Sequence, residues 1–112
     1  DWLQGSFGND ELLGGSGNDF LRGGIGNDWL TGDFGDDQIW GDLGADRIRL
    51  STGNDQIWGF SALEGDRLEL DRGISFSLES INEGTQIRTM LGVTTLVGVF
   101  DQGTVNSLID LV

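Results

Sequence analysis

The chain contains no cysteine, no histidine, no proline and no lysine. Without cysteine no disulfide can staple the fold. Without cysteine and histidine the usual soft-metal ligands are missing, which argues against zinc and copper sites. Nucleophilic catalysis by a Cys–His or Ser–His pair is excluded within these residues. Positive charge is scarce: six arginines face nineteen acids, for a net charge of -13. Such a chain repels itself when compact and is a poor partner for nucleic acid. No apolar run is long enough to span a bilayer. At 112 residues the length suits one small domain, and an opening at Asp1, already inside a repeat, predicts a piece of a longer protein.

What is abundant is glycine, twenty of them, and it is periodic. Aspartates stand at Asp1, Asp10, Asp19, Asp28, Asp37, Asp46 and Asp55, nine residues apart. Two residues after each comes an aliphatic: Leu3, Leu12, Leu21, Leu30, Ile39, Ile48 and Ile57. Two residues before each, from Asp10 onward, stands a glycine: Gly8, Gly17, Gly26, Gly35, Gly44 and Gly53. Each unit also opens on glycine at Gly5, Gly14, Gly23, Gly32 and Gly41. A fixed short period of this kind marks a solenoid.

The nine residues divide into a six-residue turn and a three-residue strand. Glycines supply the positive backbone angles expected of so tight a turn. Along the strand only the middle, aliphatic residue points inward. One such residue cannot form a core alone, but stacked repeats align it with its equivalents. Two units close one 18-residue coil, and coils stack at about 4.8 Å, giving two facing parallel sheets. The carboxylates then gather in two columns, Asp1, Asp19, Asp37 and Asp55 on one edge and Asp10, Asp28 and Asp46 on the other. Crowded carboxylates repel one another and shift their pKa values unless a cation lies between them. A cage of carboxylates and backbone carbonyls suits a hard ion of flexible coordination, calcium rather than magnesium.

These residues resemble the RTX (repeats-in-toxin) family, whose nonapeptide is G-G-x-G-x-D-x-U-x with U a large aliphatic. The resemblance covers Asp1 to Trp58. It implies an all-β, right-handed parallel β-roll, a β-helix solenoid, closed by a C-terminal antiparallel β cap. It also implies ions held between turns of successive coils, with carboxylates from both sixth-position aspartates and carbonyls from the first four positions. The side chains so implied are Asp10, Asp19, Asp28, Asp37, Asp46 and Asp55. The carbonyls come mainly from Gly5, Phe7, Gly8, Gly14, Gly15, Ser16, Gly17, Gly23, Gly24, Ile25, Gly26, Gly32, Asp33, Phe34, Gly35, Gly41, Asp42, Leu43 and Gly44. The pairs are Asp19 with Asp37, Asp37 with Asp55, Asp10 with Asp28 and Asp28 with Asp46, for about four calcium ions. Asp1 has little turn of its own, so a site with Asp19 is weaker.

Several turns depart from the pattern. Ser6, Asp33 and Asp42 replace the second glycine, where a positive backbone angle becomes more costly. The turn Leu50–Asp55 lacks both leading glycines, which weakens the Asp37–Asp55 site. From Asp55 to Asp66 the spacing is eleven residues rather than nine. Asp66 keeps the Asp-x-Leu spacing, so it can close the last coil and pair weakly with Asp46.

After Asp66 the glycine period ends. Thirteen acids and three arginines precede that point or lie on it; six acids and three arginines follow. The domains are therefore placed at 1–66, a calcium-binding roll, and 67–112, a β-rich capping segment. Alternation predicts strands at Arg67–Leu70, Ile74–Ile81, Thr85–Met90 and Val93–Val99, with hairpin connections at Asn82-Glu83-Gly84 and Leu91-Gly92. A cap is needed because an open solenoid end exposes core and strand edges. The ending Ile109-Asp110-Leu111-Val112 is similar to the close of a type I secretion signal in RTX metalloproteases. It reads equally as a last cap strand or frayed helix.

Trp2, Phe20 and Trp29 precede the inward aliphatic and Trp40 and Trp58 follow it, so all five are expected to face outward. Phe7, Ile25 and Leu43 form a second apolar row along one column of turns. Exposed apolar rows mark contacts. The expected role is a calcium-driven folding module of a secreted or cell-surface protein: unfolded where calcium is scarce, exported through type I machinery, then folded to support an upstream domain. The alternative is an adhesive module whose aromatics grip glycan, surface layer or another copy, with Trp40 and Trp58 as the self-association residues. Paired carboxylates could serve glycoside hydrolysis, but regularly spaced ones read as metal ligands, so this segment is not expected to be an enzyme.

Overall fold

The computed structural model describes residues 1–99 and 101–112. Seven short strands follow the nine-residue period: β1 (Trp2–Gln4), β2 (Glu11–Leu13), β3 (Phe20–Arg22), β4 (Trp29–Thr31), β5 (Gln38–Trp40), β6 (Arg47–Arg49) and β7 (Gly53–Trp58). Odd and even strands alternate between two sheets. β1, β3, β5 and β7 pair in parallel in one, and β2, β4 and β6 pair in parallel in the other. Every register shift is 18 residues, as in Leu21↔Ile39 and Leu30↔Ile48. This is the parallel β-roll the periodicity predicts.

The inward aliphatics form the core. Leu21, Leu30, Ile39, Ile48 and Ile57 are all at most 1% exposed. Full burial of such a side chain is worth roughly 1.5–3 kcal/mol. No single repeat has a core of its own, so that gain appears only when coils stack.

The C-terminal segment adds β8 (Arg67–Leu70), β9 (Phe76–Ile81), β10 (Gly84–Thr89), β11 (Gly92–Val97), α1 (Gln102–Ser107) and β12 (Ile109–Leu111). It does not lie across the end of the stack as a separate lid; it continues both sheets. β8 pairs in parallel with β6, and β12 in parallel with β8. β9, β10 and β11 form the expected antiparallel meander, and β11 pairs in parallel with β7.

The register of that last pairing is informative. Gly92 lies opposite Gly53, Thr94 opposite Asp55 and Leu96 opposite Ile57. β11 therefore follows the repeat's spacing with threonine at the aspartate position. Leu96, 0% exposed, extends one aliphatic column, while Leu68 and Ile109 extend the other. The helix α1 is not foreseen by alternation. Asp101 caps it by accepting from the Gly103 and Thr104 N–H groups, and its Val105 is fully buried. The final residues form the cap strand β12, tied down by Asp110, which pairs with Arg67 and Arg47.

Trp2, Phe20, Trp40 and Trp58 form one ladder on the outer face of the first sheet, with ring centroids 6.0, 6.1 and 5.9 Å apart. The last two intervals are stacked, at 16° and 12° between planes. Trp29 lies on the other sheet, also exposed.

Candidate metal centre

Each turn does two jobs with glycine, and only one concerns backbone angle. Gly15 and Gly24 at the second position and Gly8, Gly17, Gly26, Gly35 and Gly44 at the fourth have positive φ. Ser6, Asp33 and Asp42 share that left-handed conformation, with φ of 73°, 66° and 66°. From Gly26 onward the fourth-position glycines are also packed hard, whereas Gly8 and Gly17 have open space beside them. A Cβ on Gly26 would meet the Gly8 carbonyl oxygen at 2.2 Å, and one on Gly44 the Gly26 carbonyl oxygen at 2.2 Å. The opening glycines differ from expectation: none of Gly5, Gly14, Gly23, Gly32 or Gly41 has positive φ. Glycine is needed there for space.

That space is lined with oxygen. The position of a Cβ on Gly5 lies 2.6 Å from Asp10 Oδ2 and 2.6 Å from the Gly23 carbonyl oxygen. At Gly14 the neighbours are the Gly32 carbonyl at 2.6 Å and Asp19 Oδ2 at 2.9 Å; at Gly23 they are Asp28 Oδ2 at 2.5 Å and the Gly41 carbonyl at 2.8 Å. At Gly32 and Gly41 the nearest atoms are Asp37 Oδ2 and Asp46 Oδ2, both at 2.3 Å. At Gly5, Gly14 and Gly23 a carboxylate from the same turn and a carbonyl from the following coil thus occupy the place a side chain would need, and at Gly32 and Gly41 the carboxylate does so.

The two oxygens of each aspartate have separate fates. Oδ1 reaches back one coil and accepts a backbone N–H: Asp10 donates to Asp28 at 2.8 Å, Asp19 to Asp37 at 2.8 Å, Asp28 to Asp46 at 2.9 Å, Asp37 to Asp55 at 2.9 Å and Asp46 to Asp66 at 2.9 Å. The Asp1 amino group meets Asp19 in the same way. Oδ2 is buried without a partner in Asp10, Asp19, Asp28, Asp37 and Asp46. An unpaired buried acceptor is costly, and an ionised one far more so. Burial accordingly pushes Asp28, Asp37 and Asp66 above the ordinary carboxylate range, Asp55 up to about 6 and Asp46 up to about 7. Neighbouring carboxylates add to the rise, Asp10 on Asp28 and Asp66 on Asp46 among them.

A group of three or more acids gathered at one point does not occur among the described residues. The donor set is instead one carboxylate oxygen per turn with backbone carbonyls. Orphaned anionic oxygens beside backbone carbonyls make an all-oxygen donor set, which suits a hard ion of flexible coordination such as calcium. Matches to a family model decide the identity of the pattern. The model for the RTX calcium-binding nonapeptide repeat (4 copies) covers residues 1–30, 13–48 and 22–57, so that residues 1–57 are matched. The chain belongs to the RTX family. No match was found among curated proteins.

The RTX turns show which expected ligands meet. The Gly23, Gly32 and Gly41 carbonyls lie against the opening glycines of the preceding coil, Gly5, Gly14 and Gly23, beside their carboxylates. The carbonyls of Gly15, Ile25 and Leu43 each accept an N–H from a neighbouring coil, from Phe34, Gly8 and Gly26 respectively. Gly8, Gly17, Gly26 and Gly35 direct theirs at the fourth-position glycine of the following coil.

A second ladder escapes a reading that tracks glycine, aspartate and aliphatic only. Four residues that precede an aspartate reach forward: Asn9 Oδ1 accepts the Asn27 N–H, Asn27 Oδ1 the Ala45 N–H, Asn18 Oδ1 the Asp36 N–H and Asp36 Oδ1 the Asn54 N–H. Aspartates clasp the coil before and asparagines the coil after. The signal was the recurring Asn-Asp dipeptide at 9–10, 18–19, 27–28 and 54–55.

Proposed function

We propose that this calcium-binding RTX segment is a folding switch for a secreted or surface protein, with the switch set by calcium. The observation that carries it is the stack of buried, unpartnered Oδ2 atoms in Asp10, Asp19, Asp28, Asp37 and Asp46. Folding without a cation strands five anionic acceptors. Folding with calcium supplies their partner, and because the seats exist only once coils stack, binding free energy becomes folding free energy. A chain built this way stays open where calcium is scarce and closes where it is plentiful. That behaviour suits export as an unfolded chain through type I machinery, followed by folding outside and support of an upstream domain. RTX repeats are typical of secreted proteins, and no helix among the described residues is long and apolar enough to cross a membrane. No reaction is assigned to this segment; any activity belongs to a domain upstream.

The adhesive alternative has less support. Apart from the outer sides of Trp2 and Trp58 at its two ends, the ladder's rings lie one against the next, so sugar rings find mainly edges. Contact through edges, with another copy or an upstream domain, is compatible with the folding role.

Circular dichroism during a calcium titration tests the proposal. Strand signal should rise cooperatively with calcium and not with magnesium at equal concentration. A chain already folded in chelator, with no response to calcium, would sink it.

A further inference from the structure

From Asp19 to Asp66 the carboxylates share one bonding pattern at Oδ1, and together with Asp10 they divide at Oδ2. Five have no partner there. The last member of each column does. Ser51 Oγ donates to Asp55 Oδ2 at 3.1 Å, and the Ser61 N–H donates to Asp66 Oδ2 at 2.8 Å. Their turns differ in a second way. The turn ending at Asp55 opens on Leu50 instead of glycine, and Leu50 is 6% exposed and part of the hydrophobic core. The turn ending at Asp66 belongs to the longer coil and folds on itself, with the Asp66 N–H donating to the Ser61 carbonyl. Beyond Asp55 the column meets β11, whose residue in register is Thr94.

From this division we infer that Asp55 and Asp66 are terminators: each clasps the preceding coil through Oδ1 but seats no ion through Oδ2, because a serine residue's own donor takes the ion's place. The inference rests on the calcium-binding reading and deepens it. It fixes where each ladder of ions stops, at the junction with strands that hold no acid in register. It also assigns five seats, those of Asp10, Asp28 and Asp46 in one column and of Asp19 and Asp37 in the other. The aspartate pairs read from the nine-residue period alone suggest about four; the fifth is the seat of Asp46, closed by the longer coil to Asp66. A neutral donor suits the end of a column, since an ion there would have ligands from a repeat on one side only.

Equilibrium dialysis with radioactive calcium on the whole chain counts the ions. Asparagine is the probing substitution, because its Oδ1 still accepts the N–H of the preceding coil while the second oxygen becomes an amide. Wild type should bind five ions. Asp37→Asn should lose at least one. Asp55→Asn should keep all five, its new amide donating to Ser51 Oγ. Ser51→Ala should also keep five while melting lower in calcium, which covers the case in which Asp55→Asn folds poorly. A wild-type count other than five, or loss of an ion in folded Asp55→Asn or Ser51→Ala, overturns the terminators. Failure of the wild-type chain to bind calcium at all would instead overturn the calcium-binding reading beneath them.

Discussion

Ile57 in the last repeat and Leu96 in β11 lie side by side in one aliphatic column, in register and almost wholly buried. What secures the strands around them differs. In the repeat half, each coil is joined to the next by short strands and side-chain clasps, and Asp10 and every clasping aspartate from Asp19 to Asp46 leave one buried oxygen without a partner. In the C-terminal segment, six-residue strands exchange antiparallel hydrogen bonds, and buried polar side chains are satisfied internally. Thr85 donates to the Val99 carbonyl at 2.6 Å, and Glu69 accepts from Arg47 at 3.0 Å. The same core geometry is thus reached by one half that carries orphaned carboxylate oxygens and one whose buried polar side chains have protein partners. On the proposed switch, metal dependence lies in the turns, not in the aliphatic columns.

The severest way to break the comparison strikes the columns that both halves share. Leu21 is fully buried. Leu21→Asp places a charge in the core with no partner, a cost of several kcal/mol that exceeds what one coil's burial returns. The repeat half should fail to fold at any calcium concentration, as read by circular dichroism. A variant that folds normally in excess calcium would show that Leu21 is not a core residue.

Next in size come the clasps. Asp28 accepts the Asp10 N–H, donates its own N–H to Asp46, and presents an orphaned oxygen. Asp10 has the orphaned oxygen but no coil before it to clasp among the residues present. Asp28→Ala should therefore raise the calcium midpoint more than Asp10→Ala. Equal midpoints would contradict the assigned column.

Acidity separates the halves more gently. The raised pKa values of Asp46 and Asp55, about 7 and 6, mean that the metal-free fold binds more protons than the unfolded chain between roughly pH 4 and 7. Stability of the metal-free fold is thus greatest below that window and falls as pH rises through it. In calcium the sign reverses, because ligation needs the ionised carboxylate and protons compete. Residual strand signal in chelator at pH 5 and pH 8, read by circular dichroism and set beside the calcium midpoint at the same pH values, should show opposite trends. Parallel trends would detach the buried aspartates from both effects.

Much of this was legible in the sequence because a nine-residue period leaves little freedom: the aspartate, the aliphatic and the fourth glycine each have one place to go. The five meander and roll strands after residue 52 were also within reach of alternation and spacing. What was hidden involves residues that act across coils. Asn9 and Asn18 look like ordinary turn asparagines until their partners 18 residues away are known. Leu50 reads as a damaged turn, whereas it fills core. The spacing Gly92-x-Thr94-x-Leu96 mimics the repeat, but threonine in place of aspartate hides it from a search keyed to acids. The helix α1 is six residues long and takes its definition from the Asp101 cap and the burial of Val105, neither of which a periodicity detects.

The smallest expected effect sharpens the contrast from the metal-free side. Asp110 in β12 pairs with Arg67 and stands 3.6 Å from Arg47, and Arg67 holds it below the usual carboxylate range. These groups are exposed to solvent, which screens them, so the pair contributes little to stability. Asp110→Asn should lower the melting temperature by a few degrees at most. It should do so equally in calcium and in chelator wherever the C-terminal strands are folded, and 1 M salt should erase most of the difference. A change in the calcium midpoint beyond that small shift would mean that β12 communicates with the aspartate columns, and that the two halves are less separate in their chemistry than their hydrogen bonds indicate.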